Sequence, residues 1–309
     1  MSTLIISHPA CLEHLTPAGH PERPDRLRAV ERALEAEKFQ MLARAQAPRA
    51  SLDTVALCHP MDYVEAVRDA SPAEGIIHLD ADTSMSPGSF EAALRAVGGA
   101  TFAVDEVFAK KAANAFVATR PPGHHAETAR PMGFCFFDNA GIAARHAQKK
   151  YGIARAAIVD FDVHHGNGSQ EIFWSDKTVM YCSTHQMPLF PGTGAIGETG
   201  DYNTVVNAPL KPGDGAEKFR DAFESRLLPR LAEFAPELLV ISAGFDAHYR
   251  DPLANINLEA ADFAWATQKL MEVADRHAGG RIVSLLEGGY DLQGLGESVA
   301  AHVTALMRG

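Results

Sequence analysis

Residues 156–168 read AAIVDFDVHHGNG, an apolar run that turns abruptly polar and ends in two glycines around an asparagine. The run AAIVDF at 156–161 is apolar at odd and even positions alike, which predicts a strand covered on both faces, as in a parallel sheet. Comparable runs recur at 4–7 (LIIS), 115–119 (AFVAT), 178–183 (TVMYCS), 204–207 (TVVN), 238–243 (LLVISA) and 281–286 (RIVSLL). Helical patterns lie between most of them, for example at 24–38, 89–108 and 215–234. Strands alternating with helices predict one α/β domain with a central, mainly parallel sheet flanked by helices.

The polar end of the opening run carries the chemistry. If the strand continues to residue 163, Asp160, Asp162 and His164 share one face, and Phe161, Val163 and His165 the other. Left unpaired, three such groups would cost several kcal/mol on burial. A divalent cation would compensate them, and carboxylate with neutral imidazole suits zinc. The plainer alternative has Asp160 and Asp162 bonding turn amides and the histidines satisfied in the core. His165, on the opposite face, reads as structural. A third ligand is needed, and Asp246 in SAGFDAH is the best candidate, just past a strand and inside a long loop. A lone loop aspartate also reads as a turn or cap residue. Two ligands from one strand and one from a neighbour would leave open the fourth position that a catalytic zinc requires.

Three irregular stretches are long, at 120–135, 184–202 and 243–257. Structureless loops beyond about 12 to 15 residues usually serve a site, and parallel sheets bind ligands outside the carboxyl ends of their strands. The loops and the opening motif should therefore converge on one rim. RPPGHHAE holds His124 and His125 between rigid residues; they suit fixed general acid/base groups, or else a solvated loop. LEGGYD at 286–291 bends after a strand and presents Tyr290, either packed or aimed as a donor to a developing oxyanion.

Composition bounds the rest. The net charge is −11 with no Lys/Arg cluster, which argues against a nucleic-acid surface and mildly favours cationic ligands. Cys11, Cys58, Cys135 and Cys182 are scattered, so neither a disulfide framework nor a thiolate zinc knuckle is indicated. No apolar run approaches the ~18 residues of a membrane span, and no basic segment leads into an apolar one at the N-terminus. A cytoplasmic protein without membrane attachment is expected.

Taken together, RPPGHHAE, GFCFFDNAGIAA, VDFDVHHGNGSQEIF, SAGFDAH and LEGGYD, in that order, resemble the zinc-dependent histone deacetylase family. The likeness is strongest to its class II branch and to the bacterial deacetylase-like and acetylpolyamine amidohydrolase relatives. It runs from HPERPDRL at 20–27 to residue 291. The resemblance implies an arginase-like fold with an eight-stranded sheet and one zinc ion held by Asp162, His164 and Asp246. His125 would be the general base and later the acid, with His124 its electrostatic neighbour. Asp160 would orient His124 and, with Asp162, His164, Ser183 and Thr184, partly through backbone oxygens, hold a structural K⁺. Tyr290 would donate to the substrate carbonyl. Gly133, Phe134, Phe190 and Leu253 would wall an acyl-lysine tunnel, and Asp82 would grip the substrate backbone.

Two features bear on this reading. Asn167 stands where class I members carry an aspartate, so His125 should be the less basic imidazole. Tyr290 is present where some class IIa members have histidine, so a competent enzyme is expected, removing acyl groups from lysine or from a small acylated amine such as an acetylpolyamine. A binuclear manganese hydrolase of the arginase kind is disfavoured, because Gly166 and Gly244 occupy the positions of its bridging carboxylates. A zinc-holding scaffold or acyl-group binder would have no use for His124, His125 and Tyr290. Whether the chain forms a homo-oligomer is left open.

Overall fold

Among residues 2–307, which the computed structural model describes, eight strands form one sheet. Counting two further strands outside that sheet, the ten strands are, in chain order, β1 (Thr3–Ser7), β2 (Ala43–Gln46), β3 (Ile77–His78), β4 (Ser84–Met85), β5 (Asn114–Val117), β6 (Ala156–Asp160), β7 (Val179–Gln186), β8 (Val205–Leu210), β9 (Leu238–Ala243) and β10 (Ile282–Leu286). β3 and β4 make a separate antiparallel hairpin. The main sheet runs β2-β1-β5-β10-β9-β6-β7-β8, with every neighbouring pair parallel. The fold is the α/β one expected.

Both faces of the sheet are buried, and the strands alternate between two cores. In β6, Ala157 and Val159 join the core that holds Phe161, Phe245 and Phe263, while Ala156 and Ile158 join the opposite one. β9 does the same with Leu239 and Ile241 against Leu238 and Val240. The apolar reading at odd and even positions has this origin.

The boundaries depart from expectation where polar residues carry strand geometry. β7 runs on to Gln186 through the polar Thr184, His185 and Gln186, β8 runs on to Leu210, and β5 stops at Val117. β2 was not expected at all, because its ARAQ side chains are largely exposed and its place at the sheet edge is set mainly by backbone bonding to β1. The helix expected over 24–38 covers Asp25–Ala33 before a short turn at Glu37–Phe39. That over 89–108 spans Ser89–Phe108. The 215–234 segment is interrupted by a wider turn at Phe223–Leu227. Pro229 follows it and has no N–H to return to the carbonyl of Ser225, so the regular ladder cannot pass through. Among the described residues, no helix is long and apolar enough to cross a membrane.

One core histidine sets a pH limit on the fold. His302 is fully buried, with Nδ1 2.6 Å from Thr267 Oγ1 and Nε2 2.9 Å from Ser284 Oγ. Thr267 spends its own proton on the Phe263 carbonyl, so Nδ1 donates to it and Nε2 accepts from Ser284. Burial pushes the His302 pKa down to about 3. A group depressed on folding adds no penalty above its unfolded pKa near 6.5; as pH falls from there towards 3 the unfolded chain takes a proton the folded one refuses, and stability is lost. Between pH 7 and pH 5 this one group should cost about 2 kcal/mol. The wild type should therefore lose about 2 kcal/mol more than His302→Asn over that interval in urea unfolding; equal losses would refute the account.

Candidate active site

β6 ends at Asp160 rather than continuing to residue 163, and 162–164 form a bend. Asp160 Oδ1 accepts the Asp162 N–H at 3.0 Å, and Asp162 Oδ1 accepts the His164 N–H at 2.9 Å. The two aspartates thus do bond turn amides, and the bend, not strand pleating, brings Asp162 and His164 together. Asp246, just beyond β9, completes the group. Its Oδ1 accepts the Val163 N–H at 2.8 Å, and its Oδ2 lies 3.0 Å from His164 Nδ1. The Gly288 N–H reaches Asp162 Oδ2 at 2.7 Å, and a Cβ on Gly288 would overlap both carboxylates.

Asp162, His164 and Asp246 each offer a ligand atom, all within 4.8 Å of one another, and all three residues are buried. Against the effect of burial, Asp162 and Asp246 drive the His164 pKa up to about 10. The cluster therefore draws positive charge into the protein, and its one imidazole and two carboxylates fit a zinc ion.

His124 and His125 lie above this group with ring centroids 4.0 Å apart. His124 Nδ1 is 2.9 Å from Asp160 Oδ2, which also accepts the Tyr181 hydroxyl at 3.0 Å. Burial opposes its charging, yet Asp162 and Asp160 outweigh burial and hold its pKa well above the ordinary value. His125 shows the reverse, because burial and then repulsion from His124 and His164 push it well below. The expected order of basicity holds. Its causes are burial and neighbouring charge more than Asn167, whose Oδ1 sits 2.8 Å from His125 Nδ1.

A cavity of about 240 Å³ opens onto these groups. Gly133, Phe134, Phe190, Leu253 and Asp82, the five residues expected there, line it together with Leu189, His125, His164 and Tyr290. Gly133 and Phe134 both have positive φ, 56° and 70°, a conformation unusual for a bulky residue and typical of strained functional segments. Asp82 Oδ1 accepts the Gly133 N–H at 3.0 Å, and Thr83 Oγ1 accepts that of Phe134 at 3.1 Å, which hold the segment in place. Tyr290 is kept protonated, its pKa raised well above the ordinary value by burial despite Arg26.

Several supporting residues were missed. Leu189 had only its place beside Phe190 to mark it. Asp251 accepts the Tyr290 N–H at 2.7 Å, and the Arg26 guanidinium lies 4.9 Å from the Tyr290 ring centroid. Glu287 Oε2 accepts the Gly123 N–H at 2.7 Å. Asp251, Arg26 and Glu287 are all charged and buried, which sequence alone does not reveal. The residues expected around K⁺ adjoin: Asp160 and Ser183 face each other across β6 and β7, and Thr184 Oγ1 is buried without a hydrogen-bond partner. His165 is held by Thr193 Oγ1 at 2.7 Å and Gln170 Oε1 at 3.0 Å, in keeping with a structural role.

Comparison with known proteins agrees with this geometry. The family described as "Histone deacetylase domain" matches residues 20–306. The chain is 40% identical over 280 residues to a histone deacetylase-like amidohydrolase of Pseudomonas aeruginosa, covering 88% of this chain and 73% of that protein. It is 39% identical to an Archaeoglobus fulgidus protein named "Probable deacetylase", covering 100% of this chain and 87% of that one. Among solved structures, the crystal structure of the HDA15 HD domain matches with a TM-score of 0.94 at 34% identity, covering 99% of this chain and 88% of that chain.

Proposed function

The chain belongs to the histone deacetylase family, and on that premise we propose that it is a zinc-dependent amidohydrolase removing acetyl groups from the ε-amine of lysine in proteins or peptides. The observation that carries the reading is a narrow, aromatic-walled cavity meeting His125, His164 and Tyr290. Asp162, His164 and Asp246 would hold one zinc ion, which when bound supplies a Lewis acid for the amide carbonyl and the attacking water. Room for the bridging carboxylates of a second metal is lacking. A Cβ at Gly244 would overlap the Asp162 carboxylate, and one at Gly166 the Asp160 carboxylate.

The chain's own residues do the rest. Phe134 and Phe190 flank the acyl-lysine stem and exclude water. His125, neutral because of its depressed pKa, takes a proton from the attacking water and later gives it to the leaving nitrogen. The C–N bond breaks, and acetate and a primary amine leave. His124, held by Asp160, stays charged and supplies a fixed positive field beside them. Tyr290 donates its hydroxyl hydrogen to the carbonyl oxygen as negative charge develops there. Asp82 has one oxygen committed to Gly133 and offers the other to the substrate's backbone amide. K⁺ beside Asp160, Asp162, His164, Ser183 and Thr184 would fix the bend from which two of the metal ligands project.

Removing the Tyr290 hydroxyl should show in turnover. Tyr290→Phe should lower kcat about 10²- to 10³-fold, the usual loss of one oxyanion donor; unchanged kcat would take Tyr290 out of the mechanism. Lysine is favoured over a polyamine because Asp82 is the one carboxylate among the described residues lining the cavity, and a polyamine brings further ammonium groups into it. The deciding experiment compares an acetyl-lysine peptide with acetylputrescine and acetylspermidine on the zinc-loaded enzyme. Faster cleavage of the polyamines by about tenfold, some 1.4 kcal/mol in transition-state binding, would overturn this choice of substrate.

A further inference from the structure

We infer that Glu127 is a positioning residue that sets the tautomer of His125 through Asn167. The inference rests on the amidohydrolase reading for its catalytic meaning, though its geometry stands without it. Asn167 is 5% exposed and lies between the two side chains. Its amide could be placed in two orientations related by a flip, and the surrounding donors and acceptors decide between them. Nδ2 is 2.8 Å from Glu127 Oε1 and 3.5 Å from the His125 carbonyl oxygen. Both partners are acceptors, and the carboxylate has no proton to give. Flipping the amide would set its oxygen against theirs, so the NH₂ group must face Glu127.

The consequence passes to the imidazole. With its NH₂ group committed, Asn167 presents Oδ1 to His125 Nδ1 at 2.8 Å. An oxygen that can only accept requires the hydrogen on Nδ1. A neutral imidazole has one ring hydrogen, so Nε2 keeps its lone pair and is the nitrogen free to take a proton. Asn167 carries no charge of its own, and its bond to Glu127 gives it a fixed direction. Without the carboxylate, Nδ2 keeps only the Met132 sulfur at 3.3 Å and the more distant carbonyl of His125. A flipped amide would then offer its NH₂ to Nδ1 and move the ring hydrogen to Nε2, where it blocks the base. Glu127 is partly exposed on the tight 127–130 turn, so its replacement removes no core packing.

The test uses the zinc-loaded, full-length protein with ¹⁵N-labelled histidine rings, read by NMR, beside kcat and KM on an acetyl-lysine peptide. Wild type should show the His125 hydrogen on Nδ1. In Glu127→Ala that signal should shift towards the Nε2-protonated form, with kcat down roughly 10- to 100-fold and KM little changed, a partial version of the loss from a wrong tautomer. Glu127→Gln, whose carbonyl oxygen can still accept from Asn167, should keep the hydrogen on Nδ1. Adding Asn167→Asp to Glu127→Ala restores an acceptor in either orientation, and should restore the Nδ1 hydrogen and part of kcat. The inference is overturned if Glu127→Ala keeps the hydrogen on Nδ1, whatever happens to kcat, or if the double variant restores neither. If the wild type cleaves no acyl amine, the functional reading fails alone, and the ring-nitrogen spectra still decide the tautomer.

Discussion

Alanine at His125 is expected to lower kcat by about 10²- to 10⁴-fold, the range for a positioned general acid–base, and towards its upper end because in the proposed mechanism one imidazole would serve both proton transfers. The side chain is 4% exposed, 5.1 Å from the Phe190 ring and held by Asn167. His124 cannot take over, because its Nδ1 is committed to Asp160 and its charge is held by two carboxylates. Zinc content and the urea midpoint should be measured on the same preparation, since His125 contributes nothing to the Asp162, His164, Asp246 cluster. A variant with full zinc, native stability and turnover within about tenfold of wild type would remove His125 from the chemistry.

The second large effect falls on stability. Glu22, Arg26 and Arg120 are all fully buried, and the one carboxylate is bound by both guanidiniums. Arg120 Nη2 reaches Glu22 Oε2 at 2.5 Å, and Arg26 Nη1 reaches Oε1 at 2.9 Å. The arginines then extend the network, Arg26 Nε to the Gly289 carbonyl at 2.7 Å and Arg120 Nη1 to the Cys11 and His14 carbonyls at 3.0 and 3.1 Å. Removing one partner of a buried pair strands the other's charge, at a typical cost of about 3 to 5 kcal/mol. Here Glu22→Ala strands two, so urea unfolding should show a loss at or above that range; a loss under about 1 kcal/mol would mean the arginines are already satisfied elsewhere. Although burial opposes it, Arg120 and His14 hold the Glu22 pKa well below the ordinary value. Its stabilisation is accordingly full above pH about 4.5 and fades as pH falls through the depressed value.

These examples show which parts of the molecule can be read from residue order. β6 was legible because an apolar strand ending in DFDVHH has few ways to satisfy its polar tail. The manner of satisfaction was not, because whether Asp162 and His164 meet through a pleat or a bend depends on Asp160 accepting an amide two residues on. β2 escaped because an edge strand is held by backbone bonds, which ARAQ does not advertise. Glu22 and Arg26 stand one helical turn apart and look like an ordinary surface pair. Their burial depends on Arg120, 98 residues from Glu22, and no local pattern signals a partner at that distance. Glu127 was quoted inside RPPGHHAE, yet its bond to Asn167 spans 40 residues. The tunnel walls came from resemblance to a family, since nothing about Gly133 or Leu253 in isolation points to an acyl chain.

The strand order holds one more consequence, for how the molecule comes together. β5 pairs with β1 and β10, and β9 pairs with β6 and β10. β10 is thus the keystone between two separate half-sheets, β2-β1-β5 and β9-β6-β7-β8. The first half leads into His124 and His125, and the second into Asp162, His164 and Asp246. Such non-local pairing carries a high loop-closure cost that only the finished sheet recovers. β10, the last strand in chain order among the described residues, joins the loop of His124 and His125 to the Asp162, His164, Asp246 cluster and brings Tyr290 with it. A nascent chain therefore holds His124, His125, Asp162, His164 and Asp246 before it holds the cavity that His125, His164 and Tyr290 line together, and the arrival of β10 completes the sheet and the candidate site in one event.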